Sequence, residues 1–312
     1  MRIKKQTQLI AALAALVLFA SMPYVTAQGS GIEYEYASGM VNLTTDDIGV
    51  RVSAFNQVPH FHWWNASVPG TDYHVMFLKL FEANDTDDDG AFDLETDRIV
   101  GVPYLLPSSN WDFSGFDVVE QNSIASEVHF NFTVTETYIP DIPGLPIEVP
   151  VSFDVTIQIR VYIDLANPQE MKFDVVISGW TWTYEDSILV FQFTVTESTH
   201  GADQGTIAPS GFSHEGSRFD FGEGYMEYVE YAQAGESMVQ VQGTYGQGTG
   251  EESGKSIYLA FEYFGDETLE YDPIIGIIPI ADSFGIDYNQ LLLMVGGVSI
   301  VSLVILAARM KR

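Results

Sequence analysis

The chain has 312 residues, with 43 acidic and 13 basic side chains and a formal net charge of −30 at pH 7. A surface so acidic repels a phosphate backbone, which excludes nucleic acid as a partner. Cysteine is absent, so there are no disulfides, no covalently attached haem c, no blue-copper centre and no cysteine-ligated zinc, and an exported body has to be held by its core, by metal, or by both.

Residues 1–27 read as a secretory signal peptide. Arg2, Lys4 and Lys5 open it, Leu9 to Ala20 is apolar, and Val25-Thr26-Ala27 suits cleavage. That apolar stretch is shorter than the roughly 20 residues a membrane-spanning helix needs. All acidic residues lie between Gln28 and Gln290, where only seven basic ones fall: Arg51, Lys79, Arg98, Arg160, Lys172, Arg218 and Lys255. The exported part thus carries −36, which fits a salty or cation-rich medium.

Residues 28–264 are expected to form an all-β ectodomain, a large antiparallel β-sandwich built as one body or as two stacked ones, because each sheet must bury one face. His60 and His62 share a strand face beside Trp63 and Trp64. Two imidazoles at that spacing could begin a metal site, with His74 or His129 as a remote third, but nothing in the sequence brings them together, and ordinary strand histidines are the simpler reading. Tyr73 to Phe81 is apolar on both faces, as a covered strand would be, and Arg98 to Leu106 is its expected return strand.

Between those strands lies Asp85-Thr86-Asp87-Asp88-Asp89-Gly90-Ala91-Phe92-Asp93. Carboxylates stand at positions 1, 3, 5 and 9 of the loop, with glycine at position 6. A hard divalent cation takes about 6–8 oxygens at roughly 2.3–2.6 Å, and alternate side chains of a curling loop can converge on one. Gly90 permits the tight turn, and Phe92 is placed to pin the loop to a core. The D-x-D-x-D-G-x-x-D pattern resembles the β-hairpin calcium loops of integrin α subunits. It also resembles the first half of an EF-hand loop, but departs from it at the twelfth position, where Thr96 stands and only Glu95 or Asp97 could substitute. The resemblance covers these nine residues alone. It implies Ca²⁺ bound by Asp85, Asp87, Asp89, the carbonyl of Ala91, and Asp93.

Period-two alternation follows at Val128–Val134, Val151–Leu165, Phe191–Val195 and Ile257–Tyr263. Glu127 to Ser198 is therefore expected to form four long antiparallel strands in a meander. Trp180, Trp182 and Tyr184 are spaced two apart. On an outward strand face they would form an aromatic platform for sugar rings; a bulge at Gly179 would turn them into the core, the favoured outcome, leaving Thr181 and Thr183 wet. Shorter strands are expected near Tyr225–Tyr231, Ser237–Thr244 and Ser256–Phe264, with Tyr245 to Gly254 as a glycine-rich loop. Asn42, Asn65, Asn84 and Asn131 head N-glycosylation sequons.

Residues 265–290 read as a stalk, although the apolar Ile274–Ile280 cluster could dock on the domain. Residues 291–308 are an uncharged run, about 27 Å long as a helix, expected to span the membrane once. Arg309, Lys311 and Arg312 mark residues 309–312 as a cytoplasmic tail.

There is no GxSxG, HExxH, P-loop or dinucleotide fingerprint. The expectation is a non-enzymatic, membrane-anchored cell-surface protein for adhesion, envelope structure or capture of an extracellular ligand such as carbohydrate. One alternative is a membrane-tethered carbohydrate-active enzyme, recognisable by two carboxylates about 5–10 Å apart across a groove. Another is an extracytoplasmic metal carrier, recognisable by three histidines within reach of one point.

Overall fold

The computed structural model describes residues 31–53, 58–138, 152–201, 207–247 and 254–278. The signal peptide (1–27), the stalk beyond residue 278, the membrane span (291–308) and the tail (309–312) lie outside the described residues. Among the described residues no helix is long and apolar enough to cross a membrane.

Alternating sequence becomes strand along nearly the whole described chain. In order the strands are β1 (Glu33–Ala37), β2 (Met40–Thr44), β3 (Ile48–Ser53), β4 (His60–Asn65), β5 (Thr71–Asn84), β6 (Arg98–Leu105), β7 (Asp112–Phe113), β8 (Asp117–Gln121), β9 (Ile124–Tyr138) and β10 (Phe153–Asp164). There follow β11 (Glu170–Ser178), β12 (Ser187–Thr199), β13 (Phe212–Glu215), β14 (Arg218–Phe221), β15 (Gly224–Glu227), β16 (Tyr231–Ala234), β17 (Ser237–Gln247), β18 (Lys255–Phe261), β19 (Leu269–Tyr271) and β20 (Ile274–Ile277).

Among the described residues all pairings are antiparallel, and they form two facing layers. One runs β1-β2-β3-β4-β5-β12-β18-β17, with β6 on the far half of β5. The other runs from β7 and β8 through β9, β10 and β11. It then forks: β20 leads to β15, β14 and β13, and β19 leads to β16. β17 belongs to both layers, since residues 237–240 pair with β16 and residues 241–247 with β18.

A single apolar core fills the space between them. Phe61 of β4 meets Phe132 of β9 and Phe173 of β11 across the layers, with ring centroids 6.4 and 6.5 Å apart. The body is thus one two-layered structure rather than two stacked sandwiches. Strands β9 and β10 keep the expected alternation of buried and half-exposed positions.

Three expectations need correction. The four-strand meander stops after three strands: β12 leaves β11 and pairs with β5 and β18 in the opposite layer. The break falls at Gly179, whose φ is +76° and where a Cβ would lie 2.2 Å from the Asp154 carbonyl oxygen, so only glycine lets the chain turn away this close to β10. Second, β12 has no wet face over Ser187–Val195. A satellite cluster of Phe81, Ala83, Phe92, Ile188, Val190, Tyr258 and Ala260 covers its outer side. Third, residues 269–277, read as the start of a stalk, are β19 and β20 within the second layer. Ile275 and Ile277 are buried there, so the apolar cluster docks by strand pairing.

Candidate functional site

The acidic loop closes the β5–β6 hairpin. Asp85, Asp87 and Asp89 bring one carboxylate oxygen each to within 4.8 Å of the others. Asp85 accepts from the backbone N–H groups of Asp88 and Gly90, each at 2.8 Å, which curls the loop back on its first residue. Gly90 has φ +75° and Asp88 φ +58°, left-handed positions that glycine adopts freely and aspartate tolerates. The Asp87 carboxyl is held above the usual carboxylate range by desolvation, then by Asp89, Asp97 and Asp85, and a cation among these oxygens would relieve that repulsion.

Phe92 anchors the loop as expected. It is 2% exposed, its ring centroid lies 5.1 Å from both Phe81 and Tyr258, and its carbonyl accepts from the Thr244 hydroxyl at 2.6 Å. Asp93 does not join the Asp85–Asp87–Asp89 group; its carboxylate accepts from Glu95 N–H at 2.7 Å. Asp97 instead clamps the loop shut, accepting from Thr86 N–H at 3.0 Å and Asp93 N–H at 2.8 Å. The loop opens onto a pocket of about 410 Å³ whose lining adds Glu185, Asp186 and Glu262.

Asp97 is one of several buried carboxylates that tie loops to the sheet. Glu82, 3% exposed, accepts from Thr183 N–H and Tyr184 N–H, both at 2.8 Å, and from the Ser187 hydroxyl at 2.5 Å. Glu197 holds Ser210 through its N–H at 2.8 Å and its hydroxyl at 3.0 Å. Asp72 binds His200 Nδ1 at 2.5 Å and Gly201 N–H at 3.0 Å. In a chain without cysteine these bonds hold loops where a small exported domain would use disulfides.

The sequence pairs His60 with His62 and leaves the third histidine open between His74 and His129; the structure brings His74 to them. β4 and β5 form a hairpin in which His62 stands directly opposite His74, and His60 lies two residues along. One ring nitrogen from each lies within 4.8 Å of the others. Ring centroids are 4.4 Å apart for His60–His62 and 4.2 Å for His62–His74. His62 and His74 are buried, and His60 is half-buried. Burial lowers the pKa of His60 to about 4. It lowers His74 to about 4 as well, with His60 adding and Asp72 opposing. His62 falls further, through burial and then His60, His74 and Arg51. All three are neutral at pH 7, the form that ligates metal. His129 is not part of this group; it lies on β9 in the other layer, 3.3 Å from Glu127.

The aromatic platform is not formed. Residues 179–186 are not strand, so Trp180, Trp182 and Tyr184 do not share a strand face. Trp180 is core, stacked on Tyr138 with centroids 5.3 Å apart. Trp182 lies half-buried against Phe264 and donates to the Gly265 carbonyl at 2.9 Å. Tyr184 alone is exposed.

Of the sequons, Asn84 is exposed, Asn42 and Asn131 are half-buried, and Asn65 is buried. Asn65 Oδ1 accepts from Ser67 N–H and Val68 N–H at 3.0 and 3.1 Å. That side chain builds the β4–β5 turn and has no room for a glycan. A second open pocket, about 440 Å³, gathers Asp174, Glu270 and Asp272 beside Tyr162 and Lys172. The Asp174 carboxyl is raised by burial, against a hydrogen bond from Tyr162 that lowers it.

No known protein family and no curated protein matches the chain.

Proposed function

We propose that this is an exported protein of the cell surface, held by a single C-terminal membrane span, whose β body is braced by Ca²⁺ at residues 85–93. It serves adhesion, envelope structure or capture of an extracellular ligand or envelope component, carbohydrate among the candidates. The observation that carries this reading is the convergence of Asp85, Asp87 and Asp89 at the tip of a hairpin that Phe92 and Asp97 pin to the sheet. The Ala91 carbonyl is the further donor proposed, while Asp93 stays outside the convergent group and turns to Glu95 N–H. Export and anchoring rest on the sequence of the two ends. The decisive experiment is fractionation of expressing cells combined with protease treatment of intact cells. Recovery with membranes, and cleavage from outside, supports the proposal; intact chain in the cytosol refutes it.

The metal-carrier alternative gains an observation of its own, because three histidines do gather within reach of one point. The burial of His62 and His74 suits a resident ion better than a rapidly exchanged cargo.

A further inference from the structure

We infer that His60, His62 and His74 form a binding site for one divalent first-row transition-metal ion of the imidazole-preferring class, Zn²⁺ or Cu²⁺, separate from the acidic loop and independent of where the protein resides.

The first support is an accounting of nitrogen atoms. Nδ1 of His62 and Nδ1 of His74 are buried without any hydrogen-bond partner among the described residues. Leaving a buried polar atom unpaired costs about 1–3 kcal/mol, and native structures rarely carry two such atoms side by side. A metal ion bound through both Nδ1 atoms would satisfy them at once.

The second support is the tautomer of His74. Its Nε2 lies 2.7 Å from Ser198 Oγ. Ser198 Oγ also lies 3.2 Å from the Thr199 carbonyl; with its one proton directed there, it accepts from Nε2–H. A neutral imidazole protonated at Nε2 has a bare lone pair at Nδ1. In that tautomer the orphaned Nδ1 of His74 is an acceptor with nothing donating to it, which is the electronic state a metal requires. Ser198 acts here as a positioning residue, fixing the ring and its tautomer.

The third support is the frame. His62 and His74 are fixed by direct cross-strand register in the middle of a layer, so little ordering is left to be done on binding. Nitrogen ligands on one tetrahedral Zn²⁺, at about 2.0–2.1 Å each, stand roughly 3.3–3.4 Å apart. Small ring rotations bring the observed separations, at most 4.8 Å, into that range. Half-buried His60 marks the open side, where water would take the fourth position as in other three-histidine sites. Arg51 stands opposite His62 on β3, but its guanidinium is turned toward Asn42 Oδ1, 3.2 Å from Nε, and the Trp64 ring. Imidazole suits Zn²⁺ and Cu²⁺ whereas clustered carboxylates suit Ca²⁺, so the two sites select different ions.

The test uses the full chain without a polyhistidine tag, stripped with chelator, returned to excess Ca²⁺, and titrated with Co²⁺ followed by Zn²⁺. One equivalent of Co²⁺ should bind with the intense visible absorption of a tetrahedral nitrogen site and be displaced by Zn²⁺. Cu²⁺ should compete more tightly still. Asp87→Ala should leave the spectrum unchanged. His62→Gln and His74→Gln should abolish it. Should these core variants fail to fold, half-buried His60→Gln and Ser198→Ala decide the matter, the latter weakening binding about 10–100-fold. Absence of the Co²⁺ spectrum in the wild type, its loss in Asp87→Ala, or unchanged affinity in both His60→Gln and Ser198→Ala overturns the assignment.

Discussion

Alanine at Asp87 and alanine at Asp97 should weaken the acidic loop in two distinguishable ways. Asp87 is exposed and belongs to the convergent group, so its value to the fold comes through the ion. With an extracellular-type dissociation constant of about 10⁻⁴–10⁻³ M, Ca²⁺ at a hundredfold excess stabilises the folded state by about 2.7 kcal/mol. For a body of this size each kcal/mol moves the melting temperature by about 2–4 °C, so chelator should lower the wild-type Tm by roughly 5–11 °C. Asp87→Ala should melt close to the wild type in EDTA and gain little from Ca²⁺. Asp97 is 9% exposed and holds two backbone N–H groups. Its removal leaves both donors to water, since Thr86 and Asp93 are exposed, at about 0.5–1.5 kcal/mol each, in Ca²⁺ and EDTA alike. Differential scanning calorimetry of the three proteins under both conditions reads the contrast. Superimposable wild-type melts with and without chelator, or a full Ca²⁺ response in Asp87→Ala, would show that the carboxylates do not hold an ion.

Glu82→Ala should cost about 2–5 kcal/mol in urea denaturation, because Thr183 N–H, Tyr184 N–H and the Ser187 hydroxyl lose a shared acceptor; a cost below about 1 kcal/mol would mean the 179–186 connection is held otherwise. Metal-free protein should lose stability as pH falls from about 6.5 toward 4. The folded pKa values of His60 and His74 (about 4) and of His62 (lower still) lie below the unfolded value of 6.5, so the unfolded chain binds more protons and the slope reaches at most about 1.4 kcal/mol per pH unit for each histidine. Arg51, Asp72 and His200 neighbour the group, and His74→Gln should flatten the slope measured by urea midpoints at pH 7 and pH 5. Mass spectrometry of glycopeptides from a glycosylating host should find Asn84 the best used sequon and Asn65 unmodified.

What the sequence reveals depends on how local the signal is. β9 and β10 can be read outright, since a long run with one buried face has only one way to alternate. The acidic loop is equally visible because its carboxylates are neighbours in the chain. Asp97 does not stand out as a clamp, since its role needs the closed hairpin. The crossing of β12 to the other layer is a pairing over about a hundred residues, and periodicity carries no information on partners. β19 and β20 are hidden by short length and by Pro273 and Pro279, which read as stalk. The histidine group is nearer to legible than it looks. Ser67-Val68-Pro69-Gly70 is a turn signal, and a hairpin centred on Val68 places His62 opposite His74; fixing that register from the turn is enough to find the site.

β17 gives the molecule a particular response to stress. One end of this strand is zipped to β16 and the other to β18, so neither layer can peel away while its neighbour stays intact. Heat or pulling should therefore bring the whole assembly down in one step, with no half-opened form exposing bare strand edges to other chains. Such an all-or-nothing habit is itself a safeguard against clumping.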